Sequence, residues 1–589
     1  MSLRNHQSHE SGEFFPRLAA LLSLSLLISN LAAQPSGSII ADYPTVTNEH
    51  LLSPGAEDWL MWRGSYDLSG HSALDQINRE NVSELELAWS LPLSQGGNMT
   101  TPLVNNGIMY IADTKNILRA IDAQDGSQLW QYQHDSEVQD GRRIGIALHQ
   151  DKLIVPHNDL DLVALDARSG ELLWELAIEV PYDPKGPGYY SLRGAPMVAN
   201  DMILQGVGAT MVAEGGLILG IDLETGQEHW RFHTVARPDG PGGNSWNNLP
   251  LKDRSGGSVW MPGSYDPELD LAYFGTAPTY DTAPLLEDLG IDGVSNDALF
   301  TNTTLALRPR TGEMVWYFQH LPNDQWDLDW AYERQLADLE INGENRRVVF
   351  TAGKMAFYDV LDAATGQYLD SVDAGVQNMI DAVDPLTGDK TMHPDTIPNA
   401  ERSATLCPFM LGGRNWQSGS FNSNTNMLYL PVSELCMNYG PMGNNGFLLS
   451  TGVATEAIPR PDSDGRFGRL QAIDMNNLKM GWAAKERTPP TTATLSTDGG
   501  LVFAGFLDES LKAFDAETGE KLWQADLQHL PSSFPITYAV DGKQYLAIIR
   551  GQPSRFIGTL YGLINGFLAD SGGLKTPSAE PALVIYALP

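Results

Sequence analysis

The chain has 589 residues, 42% of them apolar and 19% charged, with 57 glycines and 36 prolines. That is ample apolar chain for a large core, and so many glycines call for many turns, which favours an all-β protein. The formal net charge of −36 excludes nucleic acid and anionic membrane surfaces as partners. It would steer a basic partner, although it also serves plain solubility.

At the N-terminus, Arg17 precedes the apolar run Leu18–Ile28, which is followed by "SNLAAQP". This order reads as a secretory signal peptide over residues 1–33. The run is too short to span a bilayer comfortably, so a retained anchor is the weaker reading. The expectation is an exported protein, periplasmic or secreted, with no integral membrane segment after signal cleavage. Residues 34–55 lack periodicity and read as a linker, leaving 56–589 as a single domain.

One phrase then recurs along the chain. It appears as "RAIDAQDGSQLW" ending at Trp130, "VALDARSGELLW" at Trp174 and "LGIDLETGQEHW" at Trp230. It returns as "LALRPRTGEMVW" at Trp316, "DVLDAATGQYLD" at Asp370, "QAIDMNNLKMGW" at Trp482 and "KAFDAETGEKLW" at Trp523. In six of the seven copies Trp stands eight residues after the Asp position, which Arg308 fills in the fourth copy. A strand ends at the Asp, whose carboxylate can cap the turn; Gly allows positive φ; a second strand carries the Trp. The longest gap, between Asp370 and Trp482, leaves room for another unit, and "GSFNSNTNMLYLPV" (419–432) within it resembles "GSYDPELDLAYFGT" (263–276). That makes eight units of about four strands each, which predicts an eight-bladed β-propeller with one Trp at a fixed place per blade. The terminal "PALVIYALP" (581–589) reads as the strand that closes the ring.

Two features outside the repeat carry chemistry. "NDQWDLDW" (323–330) sets Asp324, Asp327 and Asp329 among two tryptophans. If extended, it puts Asp327 and Asp329 on one face and Trp326, Leu328 and Trp330 on the other. The two cysteines, Cys407 and Cys436, could form a disulfide in an exported protein or remain two buried thiols. No C-x-x-C-H occurs, so this chain carries no covalent c-type haem.

Several stretches resemble the quinoprotein alcohol dehydrogenases, whose cofactor is pyrroloquinoline quinone (PQQ). They are "GHSALDQINRENVSELELAW" (70–89), "GGSVWMPGSYDPELDLAYFGT" (256–276) and "PNDQWDLDW" (322–330). "TAGKMAFYDVLDAATG" (351–366), "GGRNWQSGSF" (412–421) and "PITYAVDGKQYLAIIRG" (535–551) extend the likeness to the C-terminal part. The resemblance implies an alcohol oxidised by hydride transfer to PQQ, with a small alcohol as substrate and electrons passed to an external carrier such as a basic cytochrome c. It makes Asp327 the general base and Trp260 the stacking floor. It makes Lys354, Asn415 and Trp416 cofactor contacts, and Asp327 and Asp329 metal ligands. It also implies a disulfide between Cys407 and Cys436.

Other positions depart from that pattern. Met211 and Pro278 stand where the family has a glutamate and an asparagine ligand, so a Ca²⁺ or lanthanide site of the usual kind is not expected. Glu214 lies three residues off register, and Asp281 could compensate only through a rebuilt loop. Met99 replaces an acidic contact, Ile144 an arginine beside Arg143, and Arg193 a threonine. Arg193 carries a permanent charge and is expected in the cofactor pocket, either pairing with Asp327 or binding an anionic ligand. The competing reading is a propeller that kept the scaffold, lost the cofactor and serves as a binding or assembly platform.

Overall fold

The structure is a computed structural model, and it describes residues 36–37, 39–41, 43–136, 138, 143–181, 188–341, 343–399, 401–441, 453–552 and 554–589. The signal peptide expected over residues 1–33 lies outside the described residues. All seven copies of the repeated phrase fold as a pair of antiparallel strands. Ile117–Asp122 pairs with Gln128–Gln133, and Ser510–Asp515 with Lys521–Asp526. The turns close as their chemistry requires. Asp362 Oδ1 accepts from the Thr365 amide at 3.0 Å, and Gly366, at φ 73°, donates its amide to the Asp362 carbonyl at 2.8 Å.

The Trp of one copy docks on the turn of the next. The indole Nε1 of Trp130 donates to Ala167 O at 3.0 Å, Trp174 to Leu223 O at 3.1 Å, and Trp316 to Ala363 O at 3.1 Å. Trp230 and Trp482 do the same to Pro309 O and Ala516 O. The ring lies so close over the turn glycine that a Cβ on Gly366 would come within 2.4 Å of Trp316. The one copy with Asp370 in place of Trp packs beside the copy whose turn, Met475–Leu478, has no Gly. The two partners of the contact are missing together.

Successive units build sheets in chain order, antiparallel apart from His71–Ser72 beside Ser496–Thr497, forming a β-propeller; among the described residues eight of the sheets have at least four strands. In one sheet the last strand joins an early one: Ala582–Ala587 pairs with Glu86–Pro92 on one side and Lys543–Arg550 on the other. The stretch 419–432, expected to be a unit of its own, is not one: its strands Ser420–Asn422 and Met427–Ser433 share one sheet with Gly468–Asp474 and Lys479–Glu486 of the Trp482 copy. The stretch read as a linker is docked wherever it is described. Ser36–Gly37 pairs with Trp130–Gln131, helix α1 (Asn48–Leu52) is capped by the Thr47 side chain, and Leu51 is buried. Val46 and Leu51 serve as anchors without needing a period, while Ile39 and Leu52 stay exposed.

One connection matters for the site. Between Lys543–Arg550 and Ala582–Ala587 the chain leaves the sheet to form helix α2 (Arg555–Phe567). Ile557, Leu560 and Ile564 bury one face of α2 in the cluster that holds Phe409, Trp416 and Phe467. No described helix is long and apolar enough to cross a membrane.

Candidate active site

The 323–330 stretch forms no strand. Asp324 Oδ1 accepts from the Trp326 amide at 2.8 Å, while its Oδ2 accepts from the Leu328 amide at 2.7 Å and from Asn302 Nδ2 at 3.0 Å. This carboxylate is spent on holding the loop. Asp327 then takes φ 65°, uncommon for a residue with a Cβ, so the strict alternation of an extended segment does not hold. Trp326, Leu328 and Trp330 are nevertheless all buried. Trp326 donates Nε1 to Thr396 O at 2.7 Å, and Trp330 stacks on His320 with centroids 4.4 Å apart.

Lys354 follows the strand Glu344–Ala352 and joins the two remaining carboxylates. Its Nζ lies 3.1 Å from Asp327 Oδ2, 2.8 Å from Asp329 Oδ1 and 2.7 Å from the Asp327 carbonyl. The Asp329 contact is an ion pair off the hydrogen-bond axis. All three side chains are buried. Burial lowers the Lys354 pKa, but Asp327 and Asp329 outweigh it and hold the ammonium above its ordinary value. Burial pushes Asp327 well above the usual carboxylate range; Lys354 pulls it down, while Asp329 and Asp324 push it up. Asp327 Oδ1 is buried without a hydrogen-bond partner.

Asp327 lies on the wall of a cavity of about 350 Å³, the size of a small-molecule site. Trp260, Arg193 and Trp416 line it too, with Met99, Ile144 and Phe409 as apolar wall. The structure thus gathers Asp327, Trp260, Trp416 and Arg193 at one cavity, with Lys354 and Asp329 directly behind Asp327. The cation that pairs with Asp327 is Lys354; Arg193 donates Nη2 to Tyr189 Oη at 2.7 Å. Asn415 goes elsewhere. Its Nδ2 donates to Leu411 O at 3.0 Å and its Oδ1 accepts from the Trp416 amide at 2.8 Å, and it faces a neighbouring cleft. It shapes the loop that carries Trp416. The 404–411 segment, which brings Phe409 to the cavity, is pinned by the Cys407–Cys436 disulfide.

Three site residues escaped the sequence reading. Tyr332 meets Trp260 edge-on at 5.6 Å, and its hydroxyl is buried without a partner. Tyr280 has its pKa raised by burial and then by Asp329 and Asp327, so its phenol lies within electrostatic reach of the pair. Arg555, the first residue of α2, also lines the cavity. Tyr280 and Tyr332 each sit a few residues beyond a quoted family phrase and could have been found there; Arg555 lies outside every motif.

A planar quinone bearing carboxylates needs flat apolar faces, cations and hydrogen-bond donors. The cavity supplies the Trp260 ring, Arg193, Arg555 and the Nε1 of Trp416, which is buried without a partner. These residues fit PQQ. They do not fit a hard cation, which takes six to eight oxygen ligands for Ca²⁺. Met211 is 45% exposed and, with Glu214, lines a second cavity of about 800 Å³, which Tyr280 also borders. Glu214 pairs with Arg237 at 3.2 Å, and Pro278 offers no side-chain oxygen. Asp281 also faces the second cavity. Both carboxylates that could bind a metal already face an ammonium. Among the described residues, the one group of three metal-ligating side chains is His134, Asp159 and Asp161, none of which lines this cavity.

The sequence pattern of the family described as "PQQ: Glucose/ethanol/alcohol dehydrogenase, beta-propeller domain" matches residues 59–377 and 461–546. The chain belongs to this family. It is a PQQ alcohol dehydrogenase-like oxidoreductase. Quinohemoprotein alcohol dehydrogenase ADH-IIG of Pseudomonas putida is 31% identical over 91% of this chain and 78% of its own length. The solved structure of that enzyme superposes with a TM-score of 0.80 at 29% identity, covering 93% of this chain and 83% of the other. A europium-containing methanol dehydrogenase also superposes with a TM-score of 0.80, at 26% identity, over 92% of this chain and all of its own.

Proposed function

We propose that this PQQ-family protein oxidises an alcohol, with Asp327 as the general base that takes the hydroxyl proton. The observation that carries the reading is the Asp327 carboxylate on the cavity wall, with one oxygen on Lys354 and the other buried and unpartnered. PQQ, when bound, supplies a quinone carbonyl that accepts hydride. Asp327 Oδ1 is free to accept a hydrogen bond from a substrate hydroxyl and then its proton. Lys354 holds Oδ2 and favours the charged base, while burial and Asp329 raise its proton affinity. Trp260 gives the flat surface, and Met99, Ile144 and Phe409 keep the base out of bulk water.

Further parts of the reading follow from the sequence. The sheets are eight blades, one per repeat unit plus the one that holds the last strand. The protein is exported to the periplasm or beyond, and its net charge of −36 attracts a basic electron carrier of cytochrome c type. The non-catalytic platform draws support only from the missing hard-cation donors.

The test is reconstitution with PQQ, in Ca²⁺, in a lanthanide and in chelator, scored by alcohol-dependent dye reduction for wild type and D327N. The expectation is a rate in the wild type that falls at least about 100-fold in D327N. Failure to bind PQQ in all three conditions, or a D327N rate equal to wild type, would overturn the proposal.

A further inference from the structure

Helix α2 is an insertion in the sheet that holds the last strand, and it belongs to no repeat. Its N-terminus faces the cavity through Ser554, Arg555, Phe556 and Thr559. The Ser554 side chain caps the Ile557 amide at 3.4 Å. The other amides of a first helical turn have no partner within the helix, and the helix dipole makes that end positive. Arg555 adds a full charge there, and its guanidinium has no ion-pair partner among the described residues. A second, independent observation lies on the same cavity. Trp416, 5% exposed and stacked on Phe534, has a buried Nε1 with no acceptor. A helix end, a guanidinium and an orphaned donor on one cavity all ask for an oxygen anion.

Resting on the quinone reading above, we propose that Arg555 and the first turn of α2 form a carboxylate clamp. The clamp binds an anionic arm of the planar cofactor while Asp327 faces its reactive side. It places a cofactor-selecting residue outside the propeller repeats. Phe556 and Leu560 share an apolar cluster with Leu411 and Trp416, which ties the clamp to the segment that carries Trp416.

The experiment titrates PQQ and its trimethyl ester into the full chain, following quenching of tryptophan fluorescence at low and high salt, with Ca²⁺ and with chelator. Wild type, R555Q and R555K are compared, with circular dichroism confirming the fold of each. R555Q should weaken PQQ binding about tenfold and flatten its salt dependence, because a charge-assisted contact is lost. R555K should recover part of the loss, and the ester should bind wild type and R555Q alike. Equal PQQ affinity in wild type and R555Q overturns the clamp and leaves the quinone reading intact. No quenching of wild type by PQQ in any condition overturns both.

Discussion

Replacing Lys354 by methionine keeps the chain length and removes the charge. In the folded protein the ammonium lies 2.8 Å and 3.1 Å from two carboxylates that are themselves buried. At an effective dielectric of about 20, each contact is worth on the order of 5–6 kcal/mol before desolvation is counted. The cost of burying three charges, and the repulsion between the carboxylates, consume much of that. The comparison that matters is with a site holding two carboxylates and no cation, where removing one partner of a buried pair costs roughly 3–5 kcal/mol. K354M should therefore lose about 3–5 kcal/mol in urea unfolding at neutral pH. The deficit should narrow in acid, where the stranded carboxylates are protonated. Adding D329N to K354M should restore part of the loss, as coupled neighbours do. A K354M protein within about 1 kcal/mol of wild type at neutral pH would refute the reasoning, because it would mean the ammonium does not carry the carboxylates' charge.

Burial raises the proton affinity of Asp327, and a base must be deprotonated to act, so kcat/KM should rise with pH through a value above the usual carboxylate range; a profile flat down to pH 4 would contradict this. The double variant C407S/C436S opens a loop spanning 29 residues and should cost roughly 3–4 kcal/mol in denaturant unfolding. Gly366→Ala and Gly542→Ala both strain a left-handed φ, but only the first drives a Cβ into a Trp ring. G366A should therefore lower the melting temperature more than G542A, and equal losses would deny the Trp–Gly contact its role. Calcium should leave the melting temperature unchanged in calorimetry, whereas a native site would stabilise by about 2.7 kcal/mol at a hundredfold excess over its dissociation constant.

Repeats and motifs report different physics, and they were legible to different degrees. Each Asp–Gly–Trp phrase is local: the turn and the strand pair follow from twelve residues and could be read directly, whereas the indole's target lies on the turn of the next copy. The Trp260, Asp327 and Lys354 assignments came from resemblance, and the structure gathers these residues at one place. Asn415 shows where resemblance stops, since a side chain's partners depend on the loop it sits in and here both its ends bond to that loop. The role of Lys354 as the cation for Asp327 and Asp329 could not be foreseen in detail. It depends on a loop pinned by Asp324 and on a lysine 25 residues beyond Asp329. Arg555 was illegible because a helix inserted between strands carries no period shared with the rest of the chain.

The division between scaffold and site also has a mechanical cause. Outside the first copy, where Ser36–Gly37 adds a further strand, the Trp of each Trp-bearing copy rides on an edge strand that is partly exposed, as in Leu172–Ala177, whereas the opposite edge, as in Ala147–His149, is fully buried. Besides the buried apolar residues that neighbouring sheets share, contacts of one ring on one glycine tie them together towards the solvent side. The site is built from loops and from strand ends outside those contacts: the Asp327 loop, the turn that carries Lys354, the Asn415–Trp416 loop and α2. A change there leaves the Trp–Gly contacts untouched. Met211, 45% exposed and lining the second cavity, could be replaced without loosening a single sheet. Where the adhesion itself was relaxed, at Asp370, the facing turn lost its glycine as well: Leu478 takes the left-handed φ of 52° there, and Asp370 presents no ring to crowd its Cβ. The fold therefore constrains its repeat phrases tightly and its central cavity weakly. An exposed position such as Met211 can thus vary while Lys354 still holds the carboxylate pair together.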